Sequence, residues 1–109
     1  MKSVDYEVGS GNVFRDLGLP DADELDAKAN LAIEVARIIA RRGLTQTQAA
    51  KVLGIDQPKV SAIVRGHLEK FSLDRLCQLL TKLGCDVEIR IRKEKSGAPQ
   101  GTMTVRRVA

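Results

Sequence analysis

The chain has 109 residues, 43% of them apolar, with three aromatic side chains and no Trp. That length holds one domain with tails, and a core of Ala, Val, Leu and Ile argues for a helical bundle over an aromatic-rich β-sandwich. The net charge of +4 hides an asymmetry: residues 1–36 carry three basic against eight acidic side chains, residues 37–109 fifteen against six, so the positive charge a polyanion binder needs lies in the second part.

The first stretch, to about Pro20, is interrupted by Gly9, Gly11 and Gly18, has no sustained helical period and reads as an arm. It carries an apolar cluster of Val13, Phe14, Leu17 and Leu19. A long helix is predicted from about Ala22 to Arg42, with Asp21 or Asp23 as N-cap, acids in the first turn, and Arg41 and Arg42 before a terminating Gly43. Its expected buried stripe is Leu25, Ala29, Ala32, Ile33, Ala36, Ile39 and Ala40. Thr45 is positioned to cap a short helix from about Gln46 to Leu53. Gly54-Ile55-Asp56 breaks it, and a further helix runs from about Gln57 to Arg65 and stops at Gly66. Ser72 caps the next, about Leu73 to Leu83, whose buried face is Leu73, Leu76, Cys77, Leu79, Leu80 and Leu83.

Beyond Gly84 the period falls to two. Val87, Ile89 and Ile91 alternate with Glu88, Arg90 and Arg92, which predicts a half-buried strand, and Thr102 to Val108 alternates weakly as a second. One ribbon of this size is not stable alone. It folds back on the helices or pairs with its equivalent in a second subunit, and the dimer is the favoured expectation.

The residues from Gln46 to Arg65, QTQAAKVLGIDQPKVSAIVR, meet the demands of two helices crossing steeply through a tight turn. Ala50 is small where the helices touch, Gly54 follows four residues later, Ile55 anchors the turn, and Val60 and Ile63 are apolar one turn apart. An αα-corner with no ligand is the plain alternative; the charge asymmetry favours a helix-turn-helix that places its second helix in the DNA major groove. With Val60, Ile63 and Val64 assigned to the core, the outward positions are Gln57, Pro58, Lys59, Ser61, Ala62 and Arg65. Gln57 suits adenine, Lys59 guanine or phosphate, and Ser61 either a base or a phosphate. Gln46 and Thr47 stand at a helix N-terminus suited to a phosphate, and Arg65 and His67 lie near the far end within reach of the DNA backbone.

No catalytic site is expected. His67 is the single histidine and has no nucleophile or ligand set around it, and no phosphate-binding loop, CxxC pair or GxSxG elbow occurs. Neither a cofactor nor a metal is called for. Cys77 and Cys85 read as two reduced thiols in apolar surroundings. The absence of a long apolar run or a signal-peptide core sets the expectation of a cytoplasmic protein without a membrane partner.

The runs GLTQTQAAKVLGIDQPKVSAIVRG and FSLDRLCQLLTKLGCDVEIRIR closely resemble the XRE-type (Cro/CI-like) helix-turn-helix regulators, and within them the HigA-like antitoxins of toxin–antitoxin operons. SGNVFRDLGLPDADELDAKANLA is similar to the N-terminal part of the same group, so the resemblance covers about Ser10 to Arg92. It implies a mainly α fold, a Cro/CI-like domain of four or five helices with a short C-terminal β-strand or hairpin at a dimer interface. It further implies a homodimer that binds a palindromic operator in double-stranded DNA and neutralises a RelE/HigB-like toxin. The resulting division is an arm at 1–21, a DNA-binding domain at 22–85 and a β tail at 86–109. Val13, Phe14, Leu17 and Leu19 are then the toxin-binding candidates, by coupled folding and binding. The alternative for the arm is packing on its own helices or on a dimer mate. For the whole chain, the alternatives are a solitary regulator without a toxin, or an interaction module that no longer binds DNA.

Overall fold

The structure, a computed structural model, describes residues 5–7, 12–97 and 99–108, and side chains from 12 onward except that of Val13. Among the described residues five helices follow one another: α1 (Val13–Asp16), α2 (Ala22–Arg41), α3 (Gln46–Leu53), α4 (Gln57–Val64) and α5 (Leu73–Lys82). Two short strands, β1 (Asp5–Glu7) and β2 (Arg106–Val108), pair antiparallel with Tyr6 opposite Arg107.

The helices begin where side chains replace missing backbone acceptors. Thr45 and Gln48 form a reciprocal capping box at α3 (3.1 and 2.9 Å), Asp56 accepts from the Lys59 amide (3.2 Å) at α4, and Ser72 accepts from the Arg75 amide (3.0 Å) at α5. Asp21 occupies the N-cap position of α2 without a capping hydrogen bond. The four longer helices all end in the same way: the amides of Leu44, Ile55, His67 and Cys85 each reach the carbonyl five residues back, across a glycine at positive φ. Gly54 shows why glycine is required, because at φ 69° a Cβ would also come within 3.2 Å of Lys82 Nζ. That ammonium donates to the Leu53 carbonyl at 3.0 Å, so α5 helps close the end of α3.

The core lies between α2 and α5, with α3 and α4 packed across its end. Leu53, Leu76, Leu79, Leu83, Val35 and Val60 are fully buried, and each stabilises the fold by roughly 1.5–3 kcal/mol relative to exposure. The buried face of α2 is Ala27, Leu31, Ala32, Val35, Ile38 and Ile39. This corrects the expected stripe: Ala32 and Ile39 belong to it, but Ile33 and Ala40 are exposed, and Leu25, Ala29 and Ala36 are half-buried. The helix is apolar over more than half its circumference, and the face that wins carries the large side chains able to fill the space against α5. Val64 is likewise exposed, because α4 buries only Val60 and Ile63.

The arm and the C-terminal segment depart furthest from expectation. Part of the arm is helical, and α1 is fastened to the start of α2 through Asn12, whose amide donates to the Ala22 carbonyl and the Asp23 carboxylate, both at 3.2 Å. Arg15 pairs with the same carboxylate, which also accepts from the Met103 amide at 3.0 Å. No strand forms over 86–92 among the described residues, so the predicted hairpin is absent. β2 instead pairs with the N-terminal β1, and Arg107 lies 3.7 Å from Glu34 on α2. Local alternation selects a face; it does not say which strand lies alongside. Both cysteines are free and half-buried, and burial, with the Asp74 carboxylate second, pushes the Cys77 thiol above its ordinary value.

Candidate nucleic-acid interface

The turn between α3 and α4 sets the site. Ala49 and Ala50 are buried at the crossing, and their small side chains let α4 approach closely. Ile55 sits against the core and its amide bonds the Ala50 carbonyl at 3.1 Å, fixing the turn. Asp56 then starts α4, and Pro58 falls in the first turn, where its lack of an N–H is harmless. Val60 and Ile63 hold the inner side of α4 down, which fixes the outer side by rotation alone.

That outer side is made of the residues expected from the sequence. Gln57, Pro58, Ser61, Ala62 and Arg65, joined by His67, line an open depression of about 320 Å³ along α4. A second, of about 480 Å³, lies between α3 and α4 and is lined on its polar side by Thr47, Lys51, Asp56, Gln57, Lys59 and Arg75. Gln46 is joined to the same surface because Gln57 Nε2 donates to its Oε1 at 2.6 Å. All eight expected positions therefore meet on one continuous face, with Gln57 common to both hollows.

The face is cationic. Lys51, Lys59 and Arg65 are exposed and Arg75 is half-exposed, whereas Asp56, the acid lining the second hollow, is engaged with the Lys59 amide. In the first turn of α3 the capping box satisfies the amides of Thr45 and Gln48, which leaves those of Gln46 and Thr47 as the helix's outward donors. Lys51 and Arg75 were not singled out from the sequence. Lys51 follows Thr47 by four residues, a spacing that places both on one helical face. Arg75 comes from α5 and carried no local sign of its position.

The arm candidates lie elsewhere. Phe14 is half-buried, Leu17 and Leu19 are exposed, none of them lines either hollow, and the Val13 side chain is outside the described residues. Among the described residues no group of three or more His, Cys, Asp or Glu side chains could hold a metal, and no helix is long and apolar enough to cross a membrane.

Comparison with known proteins agrees with this geometry. A family model described as a helix-turn-helix domain matches residues 13–92. A solved structure described as an XRE family transcriptional regulator is 45% identical, superposes with a TM-score of 0.73, and is matched over 79% of this chain and 97% of its own. No curated protein matches the chain.

Proposed function

The chain belongs to the helix-turn-helix domain family and is of the XRE type, and from that premise we propose that it is a sequence-specific DNA-binding regulator. The observation that carries the reading is the outward face of α4: Gln57, Pro58, Ser61, Ala62 and Arg65 line one surface, with Val60 and Ile63 buried behind it. In this reading α4 lies in the major groove. Gln57 and Lys59 reach base edges from its first turn, Ser61 and Ala62 approach the groove floor, and Arg65 contacts the sugar-phosphate backbone. Gln46 and Thr47 hold a phosphate on their backbone amides, and Lys51 and Arg75 neutralise its neighbours. The work is binding; no residue is assigned a catalytic role.

The test is an electrophoretic shift with DNA from upstream of the gene. Replacing Gln57 and Lys59 together by Ala should cut discrimination between operator and scrambled DNA by about ten- to a hundredfold. Unchanged sequence preference in the folded variant would remove α4 from the groove. Affinity should also fall steeply with added salt.

We further propose that the protein is an antitoxin: a homodimer on a palindromic operator that also neutralises a RelE/HigB-like toxin. Support comes from the resemblance of its N-terminal third to that group, from the eight acidic residues before position 37, and from Leu17 and Leu19 standing exposed next to them. Substituting both leucines by Asp should abolish capture of the toxin encoded beside the gene and leave operator binding intact. The anchoring of Asn12 and Arg15 on Asp23 favours a second reading, in which residues 1–21 complete the fold of a solitary regulator. Undiminished capture by the double variant would return the arm to that role.

A further inference from the structure

Lys51, Lys59, Arg65 and Arg75 line the two hollows, but Lys82, in the last turn of α5, lines neither. Its ammonium is engaged by backbone instead: Nζ donates to the Leu53 carbonyl at 3.0 Å, 29 positions away in the chain. A lysine in the last turn of a helix ordinarily serves that helix's own carbonyls. This one crosses to another helix, and the carbonyl it meets opens the turn between α3 and α4.

The turn needs such a tie. Gly54 has no side chain to pack, and the amides of Gly54 and Ile55 both go to the one Ala50 carbonyl. Ile55 is partly buried against the core. Three residues, Gly54, Ile55 and Asp56, separate α3 from α4. Over so short a link, the plane of the peptide after Leu53 bears directly on the angle at which α4 leaves. The end of a helix carries partial negative charge, so an ammonium on the Leu53 carbonyl makes a hydrogen bond of the stronger, charge-assisted kind.

The lysine also acts from a fixed base. Leu79 and Leu83, which flank it, are fully buried, and the Leu83 carbonyl accepts from Arg42 at the end of α2. The core between α2 and α5 therefore sets where the Lys82 backbone lies, and the side chain carries that reference to the turn. Gly54 leaves room for it, since a Cβ there would stand 3.2 Å from Nζ.

We propose that Lys82 is a positioning residue for DNA recognition: without touching DNA, it fixes the turn that aims α4 and so sharpens discrimination between operator and other sequences. This rests on the DNA-binding reading above, and one of its readouts needs no DNA.

The experiment compares the native chain with Lys82→Met, which keeps the stem and removes the charge, and Lys82→Arg, which keeps a cationic donor. Without DNA, hydrogen exchange of the Ile55 amide should quicken about three- to tenfold in Lys82→Met, while amides in the middle of α5 keep their native rates. In fluorescence anisotropy, the affinity of Lys82→Met for DNA from upstream of the gene should fall by about the same three- to tenfold factor. Affinity for scrambled DNA, and its salt dependence, should stay as in the native chain. Loss of a phosphate contact behaves differently: it weakens both DNAs alike and lowers the slope of log affinity against log salt by about one. Lys82→Arg should retain most of the native discrimination. The position is exposed, so circular dichroism should find both variants folded at the temperature of the assay.

Unchanged exchange at Ile55 overturns the proposal. So does equal weakening of operator and scrambled DNA, a salt slope lowered by about one, or Lys82→Arg behaving as Lys82→Met does. If the native chain discriminates and Lys82→Met discriminates equally well, this proposal falls alone. A native chain that does not tell the two DNAs apart overturns the DNA-binding reading and this proposal together.

Discussion

The helical body formed by α2 to α5 and the segments on either side of it are held by different forces. The body is closed by apolar burial, with Leu53, Leu76 and Leu79 fully enclosed and the starts of α3, α4 and α5 capped by side chains. The flanks add polar fastenings to α2, with Asn12, Arg15 and the Met103 amide on Asp23 and Arg107 near Glu34, and only Val105 of the C-terminal flank packs against the core among the described residues. Burial is insensitive to pH and little affected by salt, whereas half-exposed ionic contacts depend on both. The surface proposed to face DNA belongs wholly to the body. The proposed partner surface around Leu17 belongs to the flanks.

The strongest way to break this contrast is inside the body. Leu76→Ala, at a fully buried position, should cost about 2–5 kcal/mol in urea denaturation. A loss below about 1 kcal/mol would mean that the core relaxes as freely as a flank. Next comes Gly54→Ala, which puts a side chain at φ 69° beside Lys82 and should cost ~1–2 kcal/mol. It should also weaken DNA binding, because it disturbs the turn that aims α4. If stability and affinity were both unaffected, the turn would not set the site.

The smallest effect concerns Asp23. The Met103 amide first, and the Arg15 side chain second, hold its carboxyl below the ordinary value of 3.8. A depressed carboxyl stabilises the native state above 3.8 and loses that contribution as pH falls through its lowered value. Acidification below 3.8 should therefore raise hydrogen exchange around Arg15 and Met103 before it touches α3 to α5. Asp23→Asn should do the same at neutral pH with little change in global stability. Equal loosening of body and flanks would show that the two are one cooperative unit.

The same division explains how much could be read from the sequence. The bounds of α3 were legible to the residue, and those of α4 and α5 to within one, because Thr45, Ser72 and the glycines after each helix are local signals. The outward residues of α4 were legible for a related reason: burying Val60 and Ile63 fixes which side of the helix points away from the core. The face of α2 was not, since small alanines spread the apolar pattern around the helix. The size of Leu31, Val35, Ile38 and Ile39 was the better guide. The pairing of β1 with β2 joins residues about a hundred positions apart, and no local pattern encodes that choice. Of the two N-cap candidates for α2, Asp21 holds the cap position, while the Asp23 carboxylate serves the flanks, a role set by side chains that only the folded chain brings together.

The hydrogen bond between Gln57 and Gln46 links the position proposed to face a base to the one proposed to face a phosphate. For anyone redesigning the protein to read a different sequence, the two glutamines form a single letter of its alphabet. A new side chain at position 57 releases the amide at position 46, so a library that varies one and freezes the other samples only half of the available codes.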